Sequence, residues 1–303
     1  MRVTNNTFPD TLLSHLQRVT KDMNMLNEQV ATGQRISKVS EDSASANRIL
    51  DMQEEKHRIT QFSKNAARAQ NINNTTISQL QNFIQISDRV GELATLADGL
   101  KGADGMRAYA EEVDELIKHA MQSANAKFNG EYIFGGVDSG TEPFVANTDA
   151  DGKIIAAPGG AVTYEGAATG PEFHLSETGK IKPFTDGATN QQLGDFINRM
   201  VELRDALETG DSAAVTSTMR TDLEESEDEM IFALSRQGSV QMRIEFDLSL
   251  NKQRFTDLEE NISAEADVDI AQTVVRLTQV QNAYQASLKS AGQVLNQSLL
   301  DYI

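Results

Sequence analysis

Along residues 11–33 the apolar positions Leu12, Leu16, Val19, Met23, Leu26 and Val30 follow one another at steps of 4, 3, 4, 3 and 4. That alternation is the seam of a coiled coil. A helix of about 20 residues with one apolar stripe has little stability alone in water, so the stripe requires a partner. The tail repeats the pattern: Ile270, Val274, Leu277, Gln281, Tyr284, Leu288, Ala291, Leu295 and Ser298 keep the 4 and 3 alternation, with Leu299 closing the stripe. The simplest partner for each terminal seam is the other, which predicts antiparallel helices with both termini at one end of a rod. A pair of helices about 35 to 45 Å long is a poor stand-alone fold, so neighbouring subunits are expected to complete it. An ordinary closed bundle and an assembly through the termini both satisfy this pattern.

Between the two seams, residues 43–97 are almost free of breakers, and their stripe sharpens at Leu80, Phe83, Ile86, Val90, Leu93 and Ala97 after an Asn/Gln/Thr-rich middle. Gly33 can end the first helix, and Ser40 with Ser43 are candidate caps for the second. The stretch "DGLKGADGM" predicts a turn into a third helix over 106–127, with Val113, Leu116, Ala120 and Ala124 on one side. The prolines are Pro9, Pro143, Pro158, Pro171 and Pro183, so residues 10–142 and 184–303 contain none. An interior proline costs a helix about 3 kcal/mol, and two proline-free arms therefore flank an insert. Over residues 132–184 short runs with Val, Ile, Tyr and Phe alternate with Gly, Pro and Asp, the texture of strands and hairpin turns. An insert of about 50 residues is marginal by itself and should lean on its flanking helices. The second arm predicts a helix from about residue 190 with Phe196, Met200, Leu203 and Leu207. A long helix over 215–258 follows with Leu223, Met230, Leu234, Val240, Ile244, Leu248 and Phe255.

These elements predict a mainly α fold, an elongated antiparallel helical rod or coiled coil with a small inserted β-rich domain. The expected segments are 1–40 for terminal assembly, 41–131 for the first helical core, 132–189 for the insert, 190–260 for the second helical core and 261–303 for terminal assembly. Composition agrees: 303 residues with no Trp, five Tyr and 39% apolar residues favour thin cores over one large one.

A formal charge of −18 without a basic cluster in sequence argues against nucleic acid as a partner. The absence of Cys removes thiolate chemistry and disulfides. No run approaches the roughly 18 apolar residues of a membrane span, and "MRVTNNTFPD" lacks the apolar stretch of a cleavable signal. Membrane insertion is therefore not expected, and a protein working outside the cell would leave by a route without such a signal.

Candidate chemistry is thin. Asn147, Asp149, Asp151 and Gly152 occupy positions 1, 3, 5 and 6 of a calcium loop, but Pro158 stands where the bidentate Glu belongs. His15, His57, His119 and His174 are scattered without ligand spacing, and no glycine pattern cradles a phosphate. The acidic run "EESEDE" reads as a solvated helix face. No catalytic, cofactor or metal residue is expected; the candidate site residues are instead the seam positions Leu12, Leu16, Val19, Met23, Leu26, Val30, Ile270, Val274, Leu277, Tyr284, Leu288, Leu295 and Leu299, as an assembly interface.

Four stretches together are similar to the bacterial flagellin superfamily: "MRVTNNTF", "LNEQVATGQRISKVSEDSASANRIL", "FNGEYIFGG" and "VDIAQTVVRLTQVQNAYQASLKSAGQVLNQSLLDYI". The similarity covers roughly 1–142 and 190–303 and leaves the insert without specific motifs. Gly33, Arg35 and Ile36 match a Gly-x-Arg-Ile-like element, and Asn129 with Gly130 matches an "FNG" shared with flagellin. Tyr132, Ile133, Phe134 and Gly136 resemble the "YxFxG" element of the hook-filament junction branch, the hook-associated proteins, and the ending "SLLDYI" is similar to that branch. The branch commonly has Asp-Asp-Pro at the start of its second helix, where this chain reads Glu41, Asp42, Ser43.

The resemblance implies a flagellin-like fold and a structural, non-enzymatic subunit, an adaptor between hook and filament; flagellin itself is the alternative, and a non-flagellar helical scaffold a more distant one. It implies self-association in a ring and contact with an adjoining hook-associated junction protein and with flagellin. It also implies a cytoplasmic export chaperone at the C-terminal region, type III export, and an extracellular place at the hook-filament junction.

Overall fold

The computed structural model describes residues 7–97, 102–150, 152–211, 215 and 219–300, with the side chains of 7–9, 103 and 294–300 not among those described. Six helices carry the described chain: α1 Thr7–Thr32, α2 Ser43–Leu96, α3 Ala103–Ala124, α4 Gly187–Thr209, α5 Arg220–Ala266 and α6 Ile270–Leu300. Between α3 and α4 lie β1 Lys127–Phe128, β2 Glu131–Tyr132, β3 Phe144–Ala146, β4 Val162–Tyr164, β5 Phe173–His174 and β6 Lys180–Ile181. They form three separate antiparallel hairpins, β1 with β2, β3 with β4 and β5 with β6. By contact the chain divides into a terminal unit, residues 1–58 with 253–303, and an inner unit, residues 59–252. The unit boundaries fall inside α2 and α5.

In the inner unit the stripe expected on α2 is the core. Leu80, Phe83, Val90, Leu93 and Ala97 are fully buried against Val113, Ile117, Ala120 and Ala124 of α3 and Phe196, Met200, Leu203 and Leu207 of α4. Alanines at 110, 120 and 124 let α3 lie close along α4, and Phe83 meets Phe196 edge-on with centroids 6.3 Å apart. Asp186 caps α4 through Thr189 N at 2.9 Å, and Gly210 ends it in the left-handed conformation. The weakly apolar middle of α2 has its own reason. Asn73 is fully buried and donates to the Gln237 carbonyl at 3.2 Å and to Gln241 Oε1 at 3.0 Å, a polar layer between α2 and α5. A slip of the two helices would break both of these bonds, while Asn73 Oδ1 and Gln237 Oε1 are buried without a hydrogen-bond partner in the observed register.

The insert leans on these helices as its size requires. Phe134 and Phe144 enter the core at zero exposure, packed edge-on at 6.4 Å. The Phe134 carbonyl accepts from Tyr164 Oη and from Asn190 Nδ2, both at 2.9 Å, so one peptide in the segment after β2 is tied to both β4 and α4. Gly136 follows at φ 67, where a Cβ would stand 2.8 Å from the Ala167 carbonyl. The "YIFGG" stretch is therefore a packing node with no room for a side chain at its last position. Arg204, 1% exposed, binds Asp114 at 2.8 Å, Asp205 at 2.8 Å and the Ile154 carbonyl at 2.7 Å, fastening the insert to α3 and α4. Burial disfavours both charges, yet hydrogen bonds prevail: Asp205 and then Asp114 raise the Arg204 pKa, and Lys118 and then Arg204 lower that of the Asp114 carboxyl.

Three element boundaries differ from the sequence reading. The cap of α2 is Asp42, accepting from Ser45 N at 3.1 Å, in place of Ser40 or Ser43. Ser43 is then the first helical residue, the position proline favours, which explains how Ser replaces Pro there without disturbing the cap. α3 stops at Ala124 because Asn125 turns the chain into the β1–β2 hairpin, whose Asn129-Gly130 turn has positive φ at both residues. Third, the long helix expected over 215–258 runs on to Ala266, and Asp269 then caps α6 through Gln272 N at 3.0 Å. Residues 98–101 of the turn expected at "DGLKGADGM" lie outside the described residues.

Candidate assembly interface

The terminal unit is built on α1 and α6, which pack on each other along their lengths. On α1 the inward row is Leu12, Leu16, Val19, Met23, Leu26 and Val30, with Val19 and Leu26 at 8% exposure and the other four half-buried. Every position of the expected α1 stripe therefore faces inward. On α6 the inward row is different: Thr273, Leu277, Val280, Tyr284, Ser287 and Ala291 are buried or half-buried, at the same steps of 4, 3, 4, 3 and 4. Of the expected tail positions Leu277, Tyr284 and Ala291 belong to this row. Ile270 keeps 54% of its surface exposed, Val274 43% and Leu288 46%, while the side chains of Leu295 and Leu299 lie outside the described ones.

The difference has a simple cause. α6 has an apolar stripe wider than one seam, and the stepping that follows the largest side chains selects its outer edge. Thr, Ser and Ala occupy the inner row because two helix backbones approach more closely over small side chains. The usable signal was the second 4-3 register one residue away, hidden because three of its six members are small. α6 thus presents a second apolar row, Ile270, Val274 and Leu288, that nothing within the described residues covers, and α1 adds Leu13 at 56% exposure. Apolar residues grouped in this way mark an interaction surface more often than a solvated one.

Residues 33–42 lock the ends of these helices. Gly33, at φ 73, closes α1 with its N–H on the Gln29 carbonyl at 2.8 Å, and its own carbonyl accepts from Val268 N at 2.9 Å. Arg35 reaches the end of α5: its N–H bonds the Ala266 carbonyl at 2.6 Å and its guanidinium bonds the Glu265 carbonyl at 3.0 and 2.9 Å. A cation placed on the last carbonyls of a helix satisfies acceptors that have no intrahelical donor and complements the helix dipole. The Gly-x-Arg element is therefore a clasp joining the α1–α2 link to the α5–α6 link. The Asp42 carboxyl is lowered to about 2 by hydrogen bonds from the Ser45 hydroxyl and N–H, with Arg35 adding to them. Glu265 is lowered by its hydrogen bond with Ser45 and by Arg48. Deeper in this unit Lys56 bonds Glu259 at 2.7 Å and sits 4.6 Å from the Phe255 ring centroid.

Other sequence candidates resolve into structural roles. Asp149 accepts from Lys153 N at 2.8 Å and closes a turn, Asn147 bonds the Gly160 carbonyl at 3.0 Å, and Asp151 lies outside the described residues. Among the described residues no three His, Asp or Glu side chains converge as metal ligands, and no helix is long and apolar enough to cross a membrane.

Residues 3–139 match the family pattern of the bacterial flagellin N-terminal helical region. No curated protein matches the chain in sequence. Among solved structures the fold is similar to FlgL from Bacillus cereus, with a TM-score of 0.56 at 21% identity, covering 70% of this chain and 99% of that one. It is similar to the flagellar junction protein FlgL from Legionella pneumophila, TM-score 0.51 at 12% identity, covering 74% and 100%. FlgL from Xanthomonas campestris gives 0.51 at 15% identity, covering 68% and 97%. At these identities the likeness is one of fold.

Proposed function

We propose that this chain, with the flagellin N-terminal helical region over residues 3–139 and the fold of FlgL, is a structural subunit of the bacterial flagellum that joins hook to filament. The observation that carries this reading is the second apolar row of α6. Ile270, Val274 and Leu288 are exposed beside the row of α6 that α1 already covers, so the terminal pair has a face left over for neighbouring subunits. A closed intramolecular bundle has no use for that row. The role is mechanical rather than catalytic, and self-association in a ring places the 1–40 and 261–303 segments against their copies. An adjoining hook-associated protein and flagellin are the axial partners, with an export chaperone on the C-terminal helix before assembly. The site of action is outside the cell.

The test separates folding from assembly. Leu288→Asp places a charge on the exposed row, so the melting curve of the monomer should stay within about 0.5 kcal/mol of wild type. Labelled antibody should find wild type at the hook tip and should find the variant absent from it, with motility lost. Label along the whole filament would make the chain a flagellin instead. A Leu288→Asp variant that assembles normally would remove the α6 row from the interface.

A further inference from the structure

Within the inner unit the facing rows of α2 and α5 enter two separate apolar cores. The larger takes Leu80, Phe83 and Val90 of α2 with Leu223, Met230 and Ala233 of α5. The smaller takes Ala66 and Ala69 of α2 with Ile244 of α5 and Ile181 of β6. Between the two cores the inward positions are polar: Asn73 and Thr76 on α2 and Gln237 on α5, each at 2% exposure or less. Other buried polar side chains of these rows are bonded. Ser226 accepts from Arg199 and donates to the Asp222 carbonyl at 2.9 Å, Ser87 donates to Glu227 at 3.3 Å, and Asn251 donates to the Leu175 carbonyl at 3.0 Å. Among the described residues, buried side-chain acceptors are left over only at this level, as Asn73 Oδ1 and Gln237 Oε1.

The backbone of both helices is weak at the same level. α2 reads Asn71-Ile72-Asn73-Asn74-Thr75-Thr76, residues with low helix propensity. The hydroxyls of Thr75 and Thr76 donate to the carbonyls four residues earlier, each at 3.0 Å, a contact that destabilises and bends helices. α5 reads Gly238-Ser239, and the Ser239 hydroxyl donates back to the Ser235 carbonyl at 3.2 Å. Gly/Ser pairs are among the few causes of a sharp helix bend. Packing does not require this glycine, since a Cβ there would meet nothing within 4 Å. Beside it lies a cleft of about 480 Å³, lined by Ser239 with Lys180 and Lys182 of the hairpin and Arg236 and Arg243 of α5. On that side α5 borders charged, open space in place of a packed neighbour.

We infer that α2 and α5 share a flexure at the level of Asn73 and Gly238, about which the two apolar cores tilt against each other. Separating the facing rows at either core exposes apolar surface to water. Separating them here exposes two acceptors, which gain from water the hydrogen bonds that the closed state denies them. Bending at Asn, Thr and Gly also sacrifices less helix stability than bending at the better helix formers on either side, so local opening is cheapest at this level. A layer built as a lock would have its acceptors paired and would accommodate alanine at 238. The inference goes beyond the role proposed above and is independent of it, because the flexure belongs to the full-length monomer whether or not the chain reaches the flagellum.

Amide exchange of the full-length protein reads the opening. Protection over 71–77 and 236–241 should be lower than over 80–90 and 226–234 of the same helices. Gly238→Ala should raise protection over 236–241 about fivefold, the helix-propensity difference between the two residues, and should raise it over 71–77 as well because the two helices open together. Protection at the Asn73 level equal to or above that of the cores makes the layer a lock and overturns the flexure. A gain confined to α5 overturns its sharing by the two helices.

Bending is read separately. The chain has no cysteine, so spin labels at Lys64→Cys and Asn82→Cys, exposed on either side of Asn73, occupy unique thiols on one stripe of α2. They stand about 27 Å apart along the axis. Their distance distribution should be broad with the rest of the chain unchanged, and narrow when Gly238→Ala is combined with Asn73→Leu and Gln237→Leu, which replace both unpaired acceptors by apolar groups. Should that combination fail to fold, Gly238→Ala alone should narrow the distribution partway. A distribution of the same width in every folded variant overturns the flexure.

Discussion

The two units use the same apolar spacing and reach different degrees of burial. In the terminal unit the most buried apolar side chains, Val19, Leu26, Ala46 and Ala291, each keep 8% of their surface exposed. In the inner unit Leu80, Phe83, Leu93, Phe196 and Leu207 keep none. The 4-3 rhythm of α1 is at least as regular as that of α2, so periodicity does not make the difference. The number of elements available to cover a stripe does: α2 in the inner unit is met by α3, α4 and the insert, whereas α1 is met mainly by α6. A stripe therefore states which side of a helix is to be buried, and its neighbours decide how completely.

The largest effect that probes this contrast is a cavity. Phe196→Ala should lower the stability of the inner unit by about 3–5 kcal/mol, because a fully buried ring against Phe83 is lost with little room for collapse. Leu26→Ala should leave the main melting transition in place and only speed protease cleavage of α1. Equal losses of the main transition in both variants would break the contrast, since the two units would then melt as one.

A smaller effect is expected from Arg204→Ala. It leaves the Ile154 carbonyl without its donor and Asp114 with Lys118 alone, a loss of about 1–3 kcal/mol for the unsatisfied acceptor. The loss should appear in the inner unit and loosen the insert, read as faster amide exchange over β3 and β4. Exchange unchanged there would mean that the Phe134 and Phe144 packing holds the insert without the cation.

The smallest effect is a pH dependence confined to the clasp. The Asp42 carboxyl titrates at about 2 in the folded chain against an ordinary 3.8, so folding favours its ionised form. The stabilisation is complete above the ordinary value and is lost as pH falls from about 3.8 through about 2. Amide exchange at Ser45 and Ala46, relative to the rest of α2, should rise across that window in wild type and be flat in Asp42→Asn. A window centred near 4 would show that Asp42 gains nothing from the cap.

Much of the helical plan was legible because it depends on local rules. Pro9 and the later cluster of prolines bounded the arms, and the stripe of α2 predicted Leu80 through Ala97 as core. The start of α6 was also written locally, as Asp269 with Gln272 three residues on, a capping-box spacing. Arg35 stood out as part of a motif, but its target carbonyls at Glu265 and Ala266 lie 230 residues away in the chain and carry no side-chain signal.

By itself, then, the sequence determined which segments are helical, which side of α1 and of α2 turns inward, and that the terminal seams need partners, because backbone propensity and apolar period act over a few residues. Tertiary structure decided the rest. It chose between two equally spaced rows on α6, since that choice depends on how closely another backbone approaches, and small side chains win where it is closest. It gathered Lys180 and Lys182 beside Arg236 and Arg243, a cationic cleft invisible in a chain without any basic run, because charges distant in sequence become neighbours only when a hairpin is laid against a helix.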